Sequence, residues 1–429
     1  MSSSERPAGA RARRDRLATQ ARGDLPLVRP PSPVAGRTVL VISSTYAPDA
    51  AGAAPYTTGL AEHLAASASR VDVVTGSARG WRARRSGTGA DGVPRVHRLR
   101  RRTADASTGE TGGWHEFRFL MRARRARLPE APDLVVAVTP GVGAVAAGAK
   151  LARRHRVPLV CVVQGLTGTA GDAEQRPQGL AGRMERVALS EADVVAILSE
   201  AFRDGVRACG VPDGRIHLVP GWTHISAVPT PQRDARLKLG WQLGGFAVVH
   251  TGTMGPTQDL GNVVEAARLL EERDDITFYL VGNGPRRTML REQARGLPNV
   301  QFVEPLTPQD HALALSAADV LLVNERPTAG EMSLPSKLTS YLSAGRPVLA
   351  AAWPGGVTGR ELDKAAGAAT RVDPGYPLKL ASAVQALAAE PDRRARMGAT
   401  ARAYAEARLG RDRSMAALDA VLASILRED

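Results

Sequence analysis

Leu334-Pro335-Ser336-Lys337-Leu338-Thr339-Ser340-Tyr341-Leu342-Ser343-Ala344-Gly345-Arg346-Pro347-Val348-Leu349 reads as a short helix running into a buried strand. Pro335 suits a first helical turn, where its missing N–H costs nothing, with Ser333 or Leu334 at the cap. Gly345 followed by Arg346-Pro347 stops the helix, and the apolar run Val348 to Ala352 predicts the strand. Leu338, Tyr341 and Leu342 share one helical face, as a core-facing helix requires. Lys337 is out of place in this scheme, because a cation in the first turn opposes the helix dipole. Two readings of it stand. Either an anion docks at the helix front, where the first turn offers unpaired N–H groups, or the lysine is a solvated side chain that contributes nothing.

At 429 residues the chain exceeds one ordinary core, so two domains are expected, and 43% hydrophobic residues can fill both. No run reaches the ~18 apolar residues of a membrane-spanning helix, and no signal-type segment follows the start. A cytoplasmic protein is therefore expected, at most peripheral on the inner face of the cell membrane. Cys161 and Cys209 have no paired spacing and no accompanying Cys/His cluster, which argues against a disulfide scaffold or structural zinc. The net charge of +14 comes from arginine, since lysine is confined to Lys150, Lys238, Lys337, Lys364 and Lys379. Much of it lies in the first ~100 residues and in Arg98 to Arg102 and Arg122 to Arg127. Nucleic acid, an anionic membrane surface or phosphorylated substrates each suit such an excess, and a general arginine bias accounts for part of it. Nucleic acid fits least, because no stacking aromatics interleave with the basic runs and no helix-turn-helix or RNA-binding signature occurs.

Residues 1–36 are rich in Ser, Arg, Ala and Pro without apolar periodicity and read as a disordered basic arm. Arg37 to Ser44 predicts a strand, Tyr46 to Pro55 a loop, the Leu60/Leu64 segment a helix, and Val71 to Thr75 a second strand. Such a βαβ opening places a ligand site at the first strand's carboxyl end, where Gly52 would let backbone approach a phosphate or simply make the turn. Trp114 to Arg127 reads as a helix burying Trp114, Phe117, Phe119 and Leu120, in preference to a membrane-facing surface. Strands follow at Leu134–Val138, Leu159–Val163, Ala192–Leu198 and Ile216–Val219, with a small-residue helix from Gly143 to Arg154. Pro220 to Arg233 is a linker, after which the pattern restarts. Strands at Phe246–His250 and Ile276–Val281 end in the glycine loops Gly252-Thr253-Met254-Gly255 and Gly282-Asn283-Gly284-Pro285, and strands at Val300–Val303 and Val320–Asn324 precede the opening stretch. The fold class is therefore α/β with two Rossmann-like domains facing across a cleft: 37–220, then 221–395, with a helical segment 396–429 expected to pack back on the first domain.

Read in order, Gly252-Thr253-Met254-Gly255, Val281-Gly282-Asn283-Gly284-Pro285 and Pro335-Ser336-Lys337-Leu338 with Tyr341 to Pro347 resemble the donor domain of the glycosyltransferase family 4 enzymes, which are retaining and have the GT-B fold. Tyr46-Ala47-Pro48-Asp49 to Gly52 with Tyr56-Thr57-Thr58-Gly59 resembles the N-terminal loop of the polysaccharide-building branch of that family, and Ile197 to Glu200 and Arg215 to Pro220 match as well. The resemblance implies that the C-terminal half holds a nucleotide-diphosphate sugar and the N-terminal half a glycan or lipid-linked acceptor. Gly252 and Thr253 would lie by the diphosphate, Gly282, Asn283 and Gly284 beside the nucleotide, Val303 at the base, Pro335, Ser336, Lys337 and Leu338 beneath the phosphates, and Gly52 across the cleft. It implies no cofactor and no metal, since helix N-termini and basic side chains neutralise the diphosphate in this fold.

The chain departs from the family pattern where it matters for charge. Many members carry an Arg and a Lys after the first glycine loop; here Gly255-Pro256-Thr257-Gln258-Asp259 holds neither. The ribose-binding carboxylate is replaced by Ser340, Glu331 stands one step from the usual sugar-facing position, and Gln164 to Gly168 replaces a charged strand end. Lys337, or an arginine such as Arg286, is the candidate replacement cation, and Lys337 and Glu331 are the candidate catalytic residues. None of His115, His217, His224 or His250 is expected to act as a general base; His250 reads as a packed core residue. The expected activity is metal-independent, retaining transfer of a hexose-type sugar, with a catalytically inactive scaffold or a sugar-nucleotide epimerase of the same fold as alternatives.

Overall fold

The computed structural model describes residues 32–49, 53–76, 92–99, 113–166, 179–223, 230–327 and 336–426, with the side chains of 113–115, 179 and 180 excepted. The basic arm up to residue 31, Gly52, Glu331 and Pro335 lie outside these residues. The strands are β1 (Thr38–Ser43), β2 (Arg70–Gly76), β3 (Arg95–Leu99), β4 (Leu134–Val138), β5 (Leu159–Val163), β6 (Val194–Ile197) and β7 (Ile216–Leu218), then β8 (Phe246–Thr251), β9 (Ile276–Val281), β10 (Val300–Val303), β11 (Val320–Asn324), β12 (Val348–Ala351) and β13 (Ala369–Val372). They form two parallel sheets, ordered β3-β2-β1-β4-β5-β6-β7 and β10-β9-β8-β11-β12-β13.

Helices on both faces explain the sequence of the central strands. Along β1, Leu40 and Ile42 enter one core while Val39 and Val41 enter the other, so every residue must be apolar or small. Along β8, Phe246 and Val248 face one side and Ala247 and Val249 the other. Registers are regular: Val39 pairs with Val71 and Leu134, and Val248 with Phe278 and Val320. β3 escapes the sequence reading because its alternation of Arg95, His97 and Leu99 with Val96 and Arg98 belongs to a half-buried edge, not to a core strand.

Two expectations need correction. The helix predicted from Trp114 to Arg127 ends at Ala123, and Phe117 is exposed on it while Leu120 is buried, so it does not bury all its aromatics. The C-terminal boundary at 396 falls inside the helix Pro391–Arg408, which stays with the second sheet: Arg402 donates to the Ala344 carbonyl at 3.3 Å. Only the next helix, Arg411–Ile425, crosses back, placing Met415, Leu418, Val421 and Leu422 in the first sheet's core. There His63 pairs with Asp419 at 2.9 Å and Arg411 donates to the Gly59 carbonyl at 2.9 Å.

Strand order reverses between β1 and β4 and between β8 and β11, and in open α/β sheets ligands bind outside the carboxyl ends at such points. Helix Ala54–Ala65 starts just past β1 and helix Ser336–Ala344 comes after β11. The Tyr56 hydroxyl, near the start of the first, lies 3.0 Å from the Thr339 hydroxyl near the start of the second. Thr339 gives its proton to the Ser336 carbonyl, so Tyr56 is the donor. Ser199, just past β6, meets Glu361 of helix Val357–Lys364, which follows β12, at 3.3 Å. Contacts between helix starts that follow strand ends require the carboxyl ends of the two sheets to face each other.

Candidate functional site: a buried cation under two glycine loops

The second sheet's switch point is built from backbone packed on backbone. Gly252 N–H donates to the Val281 carbonyl at 2.9 Å, Met254 N–H to Asn283 at 3.0 Å, and Arg286 N–H to Met254 at 3.0 Å. A Cβ on Gly282, where φ is +133°, would sit 2.0 Å from the Gly252 carbonyl oxygen, and one on Gly284 would sit 2.4 Å from that of Met254. Only glycine permits this approach. Gly282 N–H in turn donates to the Val303 carbonyl at 3.0 Å, and the Asn283 side chain accepts from Gly284 N–H at 2.8 Å. The structure thus brings Gly252, Thr253, Gly282, Asn283, Gly284 and Val303 into one connected loop pair, with Gly252 and Thr253 exposed at its surface.

Asn324, at the end of β11, pins the remaining loop. Its amide donates to the carbonyls of Gln258 and Asp259 at 2.9 and 3.0 Å and its oxygen accepts from Asn262 at 2.8 Å. Tyr341 anchors the opening helix to β8: its buried hydroxyl accepts from Thr251 N–H at 2.8 Å, and burial pushes its ionisation up to about 12. Leu338, Tyr341 and Leu342 are fully buried, as their spacing predicts. Ser340 is also buried, turned back toward the Ser336 carbonyl at 3.5 Å.

Lys337 is not a solvated surface lysine. Its Nζ lies 3.3 Å from His250 Nε2, and a Cβ built on Gly252 would lie 3.6 Å from that Nζ, so the ammonium sits beneath the first glycine loop. Burial pushes its pKa down to about 8, opposed by the Glu325 carboxylate. Glu325 is pushed up by burial, against its hydrogen bond from Thr358 and the attraction of Lys337. His250 is wholly buried, and its Nδ1 donates to the Leu322 carbonyl at 3.2 Å. Its pKa falls well below the ordinary value, first by burial and then by Lys337, against the pull of the Leu322 and Thr253 backbone carbonyls. A neutral imidazole with Nδ1 protonated has one remaining lone pair, on Nε2, and it accepts from Lys337. His311 is lowered by the same two causes. The sequence marked Lys337 through its misfit in a first turn, whereas nothing local marked His250, Glu325 or His311 as its neighbours.

The first sheet's edge is chemically different. Thr139 Oγ1 donates to the Gly165 carbonyl at 2.5 Å and accepts from Gln164 N–H at 3.1 Å. Gln164 is 7% exposed and its Nε2 has no hydrogen-bond partner among the described residues. Arg98 donates to the carbonyls of Ala47 and Gly76, which ties β3 to the loop after β1. A separate depression lined by Arg371, Val372, Asp373, Leu378, Lys379 and Ser382 lies along β13, two strands from the switch point, and is not part of this site.

Comparison with known proteins agrees with this architecture. Residues 51–222 match the model of the glycosyl transferase 4-like domain, and residues 245–390 that of the glycosyl transferases group 1. A D-inositol 3-phosphate glycosyltransferase of Xylanimonas cellulosilytica is 32% identical over 292 residues, 63% of this chain and 67% of that protein. The chain belongs to the family 4 glycosyltransferases. This glycosyltransferase is also 28% identical over 340 residues, 72% of its length and 81% of the other's, to Escherichia coli WcaI, a protein assigned to colanic acid biosynthesis as a glycosyl transferase. Among solved structures, Anabaena HepE in complex with UDP superposes with a TM-score of 0.63 at 17% identity, covering 90% of this chain and all of that one. Sucrose-phosphate synthase of Thermosynechococcus elongatus gives 0.68 at 19%, covering 89% and 97%. The fold is GT-B.

Proposed function

We propose that this glycosyltransferase transfers a hexose-type sugar, with retention and without a metal, from a nucleotide-diphosphate donor to a glycan or lipid-linked acceptor in polysaccharide or glycoconjugate assembly. The observation that carries the reading is the Lys337 ammonium, held beneath Gly252 at the second sheet's switch point with the Glu325 carboxylate nearby but no salt bridge among the described residues. A partly desolvated cation at a helix front is poorly placed for stability and well placed for a diphosphate. It stands in for the Arg and Lys that the loop Gly255–Asp259 lacks. Gly252 and Thr253 would lie against the diphosphate, the Gly282 loop and Val303 against the nucleoside, and Ser336 and Leu338 at the helix front. The complex of HepE with UDP, and the names of the two curated relatives as a colanic acid biosynthesis glycosyl transferase and a D-inositol 3-phosphate glycosyltransferase, support this assignment.

In this mechanism, charge accumulates on the diphosphate as the glycosidic bond breaks, and Lys337 with the helix-front amides stabilises it. His250 does not act as a base, because Nδ1 donates to Leu322 and Nε2 is occupied by Lys337. A donor phosphate oxygen would take the acceptor's proton on the face from which the leaving group departs, so that catalysis rests on positioning and charge stabilisation. The test is a thermal-shift screen of purified protein against UDP, GDP, ADP and TDP sugars, followed by transfer assays with the one that stabilises it. Stabilisation by one base class with sugar transfer is expected; no stabilisation by any of them rejects the reading.

A further inference from the structure

We propose that His250 is a positioning residue for the donor: as a permanent hydrogen-bond acceptor it holds the Lys337 ammonium under the Gly252 loop, and donor binding then draws a proton onto Lys337. The inference rests on the nucleotide-diphosphate reading above and goes beyond it by naming the device that orients and charges the cation. Three observations carry it. His250 is 0% exposed at the end of β8, so its ring cannot turn to solvent. Its Nδ1 proton is committed to the Leu322 carbonyl at 3.2 Å, which leaves Nε2 as an acceptor. Lys337 Nζ is 3.3 Å from that nitrogen and also faces Gly252.

The titratable groups facing Lys337 come from three elements: His250 on β8, His311 on helix Pro308–Ala317, and Glu325 at the end of β11. Both histidines are held neutral by burial and by Lys337 itself, so Glu325 is the counter-charge among the described residues. Burial outweighs it and leaves Lys337 near 8. A diphosphate docking on Gly252 adds negative charge and raises that value in the complex. Affinity is therefore full below about pH 8, where Lys337 is already charged, and weakens above it, where protonating Lys337 has to accompany binding.

Calorimetric titration of the wild-type protein with UDP, GDP, ADP or TDP, whichever the thermal screen selects, tests this. It is run between pH 7.5 and 9.5 in two buffers of different ionisation enthalpy. The expected result is fractional proton uptake that grows as the pH is raised through the range around 8, with affinity falling toward tenfold per pH unit at the alkaline end. Lys337→Arg, which cannot deprotonate in this range, should bind with no proton uptake. His250→Phe keeps a ring but loses the acceptor, and should weaken binding at pH 8.5 at least tenfold. His250→Gln, which restores an acceptor, should stay within threefold of wild type. Nucleotide binding with no proton uptake, together with an unchanged pH profile in His250→Phe, overturns the inference and leaves the donor reading standing. Absence of binding by every nucleotide at every pH overturns the donor reading itself. If His250→Phe does not fold, the wild-type proton count and His250→Gln still decide.

Discussion

The two sheets end on the same crevice with opposite chemistry. At the β8–β11 edge, one cation is held beneath backbone loops, between a raised carboxylate and histidines kept neutral. At the β1–β4–β5 edge the strand-end side chains are uncharged and polar, with Arg98 and Glu116 committed to backbone from neighbouring elements: Ser43 meets Thr57 at 3.3 Å, Thr139 ties two backbone segments, and the Gln164 amide nitrogen pairs with nothing among the described residues. The contrast follows the proposed ligands. A diphosphate is charged before and after transfer, and more so in between, so its edge needs a charge that is costly to desolvate and is satisfied on binding. A sugar hydroxyl is neutral and is recognised by groups whose burial is cheap only when they are paired.

The largest effect expected from breaking this contrast is at its charged side. Lys337→Ala should lower kcat/KM by about 10²–10³, corresponding to roughly 3–4 kcal/mol of lost charge stabilisation, in steady-state assays with the selected donor. Unchanged kinetics would place the diphosphate elsewhere. Gly282→Ala forces a Cβ against the Gly252 carbonyl in a backbone region closed to alanine, and should cost about 2–4 kcal/mol in urea unfolding together with donor affinity. Retained affinity would separate the loop pair from the site.

Tyr341→Phe leaves the buried Thr251 N–H without its acceptor and should cost about 1–3 kcal/mol of stability, read as a lower urea midpoint at constant slope. The smallest stability change belongs to the neutral edge. Gln164→Leu removes an amide whose Nε2 pairs with nothing described, so stability should hold or rise by about 1 kcal/mol. KM for the acceptor should rise while the donor Kd stays constant. A weakened donor Kd in this variant would erase the division of labour between the edges.

Much of the fold was legible because parallel strands covered on both faces must be apolar throughout. Val39 to Ile42, Leu134 to Val138 and Val320 to Val323 announce themselves. The same rule hid β3, an edge strand carrying Arg95 and Arg98, and β13, whose short Ala369–Val372 run is only half covered. The glycine loops were legible as punctuation, yet nothing in Gly282 or Gly252 alone says that the two touch. Gly52, Glu331 and Pro335 fall outside the described residues, so the structure says nothing of their expected roles.

Local sequence by itself determined that Lys337 opposes its helix dipole and that its helix turns Leu338, Tyr341 and Leu342 inward, since dipole and periodicity act within a few residues. Tertiary structure alone decided what the lysine is for. His250 lies 87 positions upstream, and it is the alignment of β8 beside β11 that brings its one free lone pair to the ammonium. Burial then lowers that group's proton affinity until it can answer a bound anion, and burial is a property of the packed sheet, with no counterpart in the chain read residue by residue.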